Sequence, residues 1–194
     1  RDTSKRDYDW FESIWLRTLQ SSKNQFMIAK LFSVSANLPR FLEKFPDAKI
    51  LYMVRDPLNV IPSGLSLVTG VLDKRFGFWS LPTDKRTRYI HRLYGALVTL
   101  LTRFHDDWTN GRIDRSKVMI VHFDRMMNNF DELMSEVMQF LNQSPSKDLI
   151  SSIQQTANDQ RKFKSKHNYD LEKFGITAEQ IQSDCKSIYK TFLS

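Results

Sequence analysis

Only one cysteine occurs in the sequence, Cys185, so no intramolecular disulfide can form and no cysteine-based metal site is available. Cys185 falls at helical spacing with Ile181 and Ile188 and reads as a small core residue, a placement that permits a reducing compartment. Long apolar runs are also lacking. Every hydrophobic stretch is short and broken by charge, and none approaches the roughly 20 apolar residues of a membrane-spanning helix. Internal repeats, low-complexity tracts and flexible linkers are absent from residues 1–194, so a single α/β domain accounts for this stretch. No Gly-rich, Lys-containing strand-to-helix turn precedes Tyr8, and no G-x-x-x-x-G-K-[ST] loop occurs anywhere. The chain opens on the polar run RDTSKRD without an initiator methionine or an apolar leader, and reads as the remainder of a longer protein.

What is present fits one globular domain over residues 1–194: 41% apolar residues, 26% charged, and length enough to bury a substantial core. The net charge of +7 favours anionic ligands, but a nucleotide, a nucleic acid and an anionic membrane satisfy it equally.

Periodicity divides the chain into helices and short strands. Tyr8, Phe11, Trp15 and Leu19 make a helical stripe, and FMIAK at 26–30 reads as a buried strand. Leu38, Phe41, Leu42 and Phe45 repeat the stripe before Pro46-Asp47 turns the chain. KILYMV at 49–54 has the length and continuous hydrophobicity of a parallel strand covered on both faces, so strand, helix and strand make a βαβ unit. Asp56-Pro57 then predicts a helix running to about Gly70, followed by an aromatic loop over 71–82. A long helix follows from Thr83 to Trp108 with its stop at Gly111, then a strand over 117–123 and a helix carrying Phe130, Leu133, Val137 and Leu141. Ser144-Pro145 starts another helix, QRKFKSKHNY at 160–169 is basic, and Thr177 with Gln180 signals a capping box. The class is α/β, missing its first strand.

Chemistry concentrates where ILYMV ends. Arg55 follows the strand, the next helix is expected to leave first-turn N–H groups free, and Ser63 comes eight residues after Arg55. A forked cation, free backbone donors and a hydroxyl can together hold a phosphate. An ordinary corner with Arg55 paired to a carboxylate is the plain alternative.

The string FPDAKILYMVRDPLNVIPS closely resembles the 3′-phosphate motif of the sulfotransferase family, with Arg55 and Ser63 at its two matching positions. MIAKLFSVSANLPRFLEKFP resembles the family's Lys-bearing strand and helix, and VMIVHFDRMMNNFDELMSEVMQFLN its strand, acidic turn and helix. KFKSKHNYDLEKFGIT resembles a C-terminal segment of one broad branch. The resemblance implies a P-loop-NTPase-like three-layer domain, a central parallel sheet between helices, whose first strand and phosphosulfate loop precede this sequence. It implies transfer of a sulfuryl group from 3′-phosphoadenosine-5′-phosphosulfate (PAPS, leaving PAP) to an acceptor hydroxyl or amine, with no metal required. Acceptors would be a small molecule, a carbohydrate, a lipid or a protein. No nucleic-acid partner is expected, and the location is cytoplasmic, or Golgi and membrane-associated if an anchor precedes Arg1.

By resemblance, Lys30 stabilises the leaving group, with a surface lysine at a strand end as the alternative, and Arg161, Lys162, Lys164 and Lys166 form a basic segment over the 3′-phosphate. A solvated charge run is the alternative for those four. His122 stands where the family often has an aromatic residue beside Asp124, and could stack near the adenine or take part in chemistry. The histidine that serves cytosolic members as base, two residues beyond the lysine, is Phe32 here. His91, His105, His122, His167 and carboxylates remain as candidates. Phe76, Phe78 and Trp79 either wall an acceptor pocket or cap the core. A P-loop kinase or NTPase, and a noncatalytic anion- or nucleic-acid-binding module, are the rival readings.

Overall fold

The structure is a computed structural model that describes residues 3–22, 26–32, 34–162 and 170–194. The stripe at Tyr8, Phe11 and Trp15 forms α1 (Ser4–Ser22), which lies against α2 (Leu38–Lys44). Their contact is aromatic: Phe11 and Trp15 stack at 5.7 Å, and Phe41 and Phe45 meet Trp15 from α2 and its C-cap. Lys44 reaches back to both Asp9 and Glu12, at 2.9 and 2.7 Å.

Two strands, β1 (Ile50–Val54) and β2 (Val118–His122), pair in parallel in the register Ile50 to Val118 through Val54 to His122. A parallel pair requires a long crossover. Here it contains two helices, α3 (Pro57–Phe76) and α4 (Thr83–Thr109). One sheet face rests on α4, where the Tyr52 ring stacks nearly parallel on the fully buried Phe104. On the other face Val121 packs with Leu133 and Val137 of α6 (Phe130–Phe140), reached through α5 (Phe123–Asn128). The β1 half of that face is open, with Leu51 and Met53 each 45% exposed. The two-sided cover expected of KILYMV is therefore present on one face only.

After α6 come α7 (Lys147–Lys162), α8 (Ala178–Asp184) and α9 (Lys186–Phe192). Helix α7 begins later than Ser144-Pro145 suggested: Ser146 caps it, accepting from Leu149 N at 3.2 Å. Thr177 caps α8 as expected, accepting from Gln180 N at 3.1 Å. Buried Ile181, Cys185, Ile188 and Phe192 carry the C-terminal helices into the main core.

Two further expectations are corrected. Residues 26–30 form no strand: they run as irregular backbone with Phe26 66% and Ile28 96% exposed. A strand exists only against a partner, and among the described residues β1 pairs with β2 alone. The βαβ unit is thus β1, α3 and α4, β2. The second correction is the end of α3, which passes Gly70 and stops at Gly77, the residue that takes the left-handed conformation (φ 63°) and donates its N–H to Asp73 O. The expected loop over 71–82 shrinks to a 3₁₀ turn at Phe78–Ser80 and its flanks. Gly111, with φ 68°, does follow the end of α4.

Candidate functional site

The parallel register places Arg55 and Phe123 next to each other, each one residue beyond its strand. The Arg55 guanidinium lies over the Phe123 ring, 4.1 Å from its centroid. Arg55 is half-buried and has no hydrogen bond or ion pair with another described residue, so the carboxylate-paired corner is not what forms. The flat face of the cation is held by the ring while its donor edge stays unpaired among the described residues.

Asp56 determines what the N-terminus of α3 can offer. Its carboxylate accepts from Leu58 N at 2.8 Å, its carbonyl accepts from Asn59 N and Val60 N, and Pro57 has no N–H. The first-turn donors expected to be free are therefore already used, because an N-cap aspartate satisfies them within the helix. The same carboxylate accepts a 2.6 Å hydrogen bond from the Tyr189 hydroxyl of α9. Burial, followed by this bond, pushes the Tyr189 phenol far above the ordinary tyrosine range. Tyr189 was not singled out from the sequence: it lies 133 residues from Asp56, and nothing local marks it as a partner. Ser63 is half-buried two turns along α3, seven residues after Asp56 and so on the same helical face.

The remaining predicted residues are dispersed. His122 ends β2, half-buried, immediately before Phe123. Lys30 is exposed on irregular backbone, and Phe32, 67% exposed, follows it. Arg161 is engaged by Asp131, its Nη2 lying 3.0 and 3.1 Å from the two carboxylate oxygens, while Nη1 donates to Asn158. That pair holds the Asp131 carboxyl below its usual range. Lys162 is exposed at the end of α7; Lys164, Lys166 and His167 lie outside the described residues. His91 is exposed on α4, and His105 is fixed between Asp106 and Thr191, 3.0 Å from each. The aromatic segment divides: Phe78 is buried, Trp79 has Lys173 over its ring at 4.3 Å, and Phe76 projects outward. Among the described residues, no group of three or more His, Cys, Asp or Glu could hold a metal ion. None of their helices is long and apolar enough to cross a membrane.

The parallel strand pair thus ends in an arginine backed by an aromatic ring, beside a helix whose first turn Asp56 caps. A model of the sulfotransferase family matches residues 7–148, from α1 into the first turn of α7. The chain belongs to the sulfotransferase family, and its membership supports sulfotransferase activity in general. The match ends before the basic segment at 160–169. No curated protein and no solved structure matches the chain.

Proposed function

We propose that the β1–α3 corner receives the 3′-phosphate of PAPS, and that the protein transfers the sulfuryl group of PAPS to an acceptor hydroxyl or amine. One observation carries this reading. Arg55 stands at the carboxyl end of β1 with its face on Phe123 and its donors unpaired among the described residues. Such a fork is preorganised for phosphate oxygens. Ser63 supplies a hydroxyl on the helix that follows. The side chains of Arg55 and Ser63, rather than the α3 backbone, are the phosphate ligands, since Asp56 takes the first-turn donors.

Within the same reading the sheet belongs to a P-loop-like three-layer domain. His122 lies next to the adenine, and Lys30 stabilises charge on the leaving group as transfer proceeds. Lys162, Lys164 and Lys166 cover the 3′-phosphate. Arg161 joins them only on giving up Asp131. The acceptor is a small molecule, carbohydrate, lipid or protein.

Thermal shift and calorimetry test the assignment. PAP should raise the melting temperature, and Arg55→Ala should weaken PAP by roughly tenfold or more while changing AMP little, because AMP has no 3′-phosphate. Equal losses for both nucleotides would remove Arg55 from the role. Magnesium-dependent ATP binding with indifference to PAP would favour an NTPase, and a steep salt slope with polyanions would favour a nucleic-acid-binding module.

A further inference from the structure

At the far end of α3 a cleft of about 330 Å³ opens between its last turns, the 3₁₀ turn at Phe78–Ser80 and the start of α4. Leu72 and the edge-packed rings of Phe78 and Tyr89, 5.4 Å apart, form its apolar side. Phe76 and Leu81 stand at its margin, 76% and 41% exposed. The other lining residues are Lys85, Arg88 and Arg92 of α4. They sit at i, i+3 and i+7, so all three cations share one helical face.

No ion pair among the described residues neutralises the charges on this face. Arg86, beside them, donates to Trp79 O and Thr83 Oγ1, and Lys173 covers the Trp79 ring. The side chains of Lys85, Arg88 and Arg92 make no ion pair or hydrogen bond with another described residue, and no carboxylate lines the cleft. Like charges at this spacing repel, and a ring as exposed as Phe76 gains by being covered. An anionic group relieves the first and an apolar body the second. The volume lies within the range of small-molecule sites.

We infer that this cleft binds an amphipathic organic anion: a ring-sized apolar body carrying a sulfonate, sulfate, phosphate or carboxylate. The site is separate from the β1–α3 corner. At 1.5 Å per residue the 20-residue α3 is about 30 Å long, with Arg55 before one end and the cleft at the other. The inference therefore stands or falls independently of the PAPS assignment.

The test is calorimetric titration of the intact protein with 2-naphthalenesulfonate, alongside the uncharged 2-naphthylmethanol and inorganic sulfate. Saturable binding is expected for the sulfonate, with the alcohol and sulfate each roughly tenfold weaker or more, because neither offers both halves of the ligand. Arg88→Ala/Arg92→Ala should weaken the sulfonate at least roughly tenfold and leave the PAP titration unchanged. Phe76→Ser should weaken it through the apolar half, and Arg92→Gln alone provides a milder variant if the double substitution disturbs folding. Absence of saturable binding, or unchanged affinity in the charge variants, would overturn the site. Competition by PAP would move the ligand to the nucleotide corner. Binding to anionic-lipid vesicles without binding of the sulfonate would make the patch a membrane contact and sink the proposal. If PAP fails to bind at all, the sulfonate result is still interpretable, since no step of it uses the nucleotide.

Discussion

Asp56 combines local and distant functions in one carboxylate: it caps α3 through Leu58 N and receives the Tyr189 hydroxyl from the C-terminal helices. Tyr189→Phe removes the second function and leaves a wholly local cap. It should lower unfolding free energy by roughly 1.5–3 kcal/mol in urea denaturation with an unchanged m-value, the range for a hydrogen bond to a charged acceptor. An unchanged midpoint would mean that water replaces the tyrosine hydroxyl without loss. Cys185 behaves differently because it is fully buried: burial, then the nearby Asp184 and Asp56 charges, push its thiol up to about 11. Its native-state reaction with a thiol reagent at neutral pH should be slow and should accelerate only with denaturant, because the thiolate is scarce and the sulfur inaccessible. Rapid labelling of the folded protein would contradict this burial. The identity of the cap was legible in the sequence, since Asp-Pro is a strong helix-start signal. The consequence, that the capped donors are no longer free for a ligand, emerges only from seeing where the carboxylate points.

The packing of α3 against α4 depends on how closely two helices can approach. A Cβ added at Gly64 would meet both Cδ atoms of the buried Leu97 at 3.0 Å, whereas Gly70 on the same helix has nothing within 4 Å. The paired substitutions should therefore have opposite signs. Gly64→Ala is expected to destabilise by about 1 kcal/mol through overpacking. Gly70→Ala should stabilise by about 0.5–1 kcal/mol through lower backbone entropy in the unfolded chain. Thermal or chemical denaturation of the two variants checks the contrast, and a stabilised Gly64→Ala would show that Leu97 yields at little cost. The sequence predicts that α3 runs to about Gly70, whereas Lys74 and Arg75 before Gly77 are the basic last turn that accompanies its true end. The short strands were less legible still. ILYMV and FMIAK look alike to a pattern reader, yet one finds a ladder partner and the other does not.

Charge acts on the molecule as a whole. The carboxyls of Asp9, Asp131 and Glu136 are held below their usual range, by Lys5 and Lys44, by Arg161, and by Arg125. A carboxylate with a lower pKa in the folded state stabilises the fold above its unfolded pKa, and that contribution is lost as pH falls through the folded value. The melting temperature should accordingly drop as pH is lowered through and below the ordinary carboxylate range near pH 4, where the net charge of +7 also grows more positive and self-repulsion increases. These pairs are exposed, so added salt at neutral pH should change the melting temperature only slightly. A melting temperature flat from pH 7 to pH 3 would show that the pairs and the net charge matter little.

Several properties followed from the sequence by itself, because local periodicity and capping chemistry are enough to specify them: the helical stripes of α1, α2, α4 and α6, the caps at Asp56 and Thr177, the turn at Gly111, and the exclusion of disulfides. The string around Arg55 and Ser63 also carried the resemblance that the family match supports. Tertiary structure alone decided which apolar run became a strand, since a strand depends on a partner elsewhere in the chain. It alone set Phe123 behind Arg55, tied Tyr189 to Asp56, and occupied Arg161 with Asp131. These are contacts between residues far apart in sequence, which composition and spacing do not encode, and they determine which cations remain available to an anion.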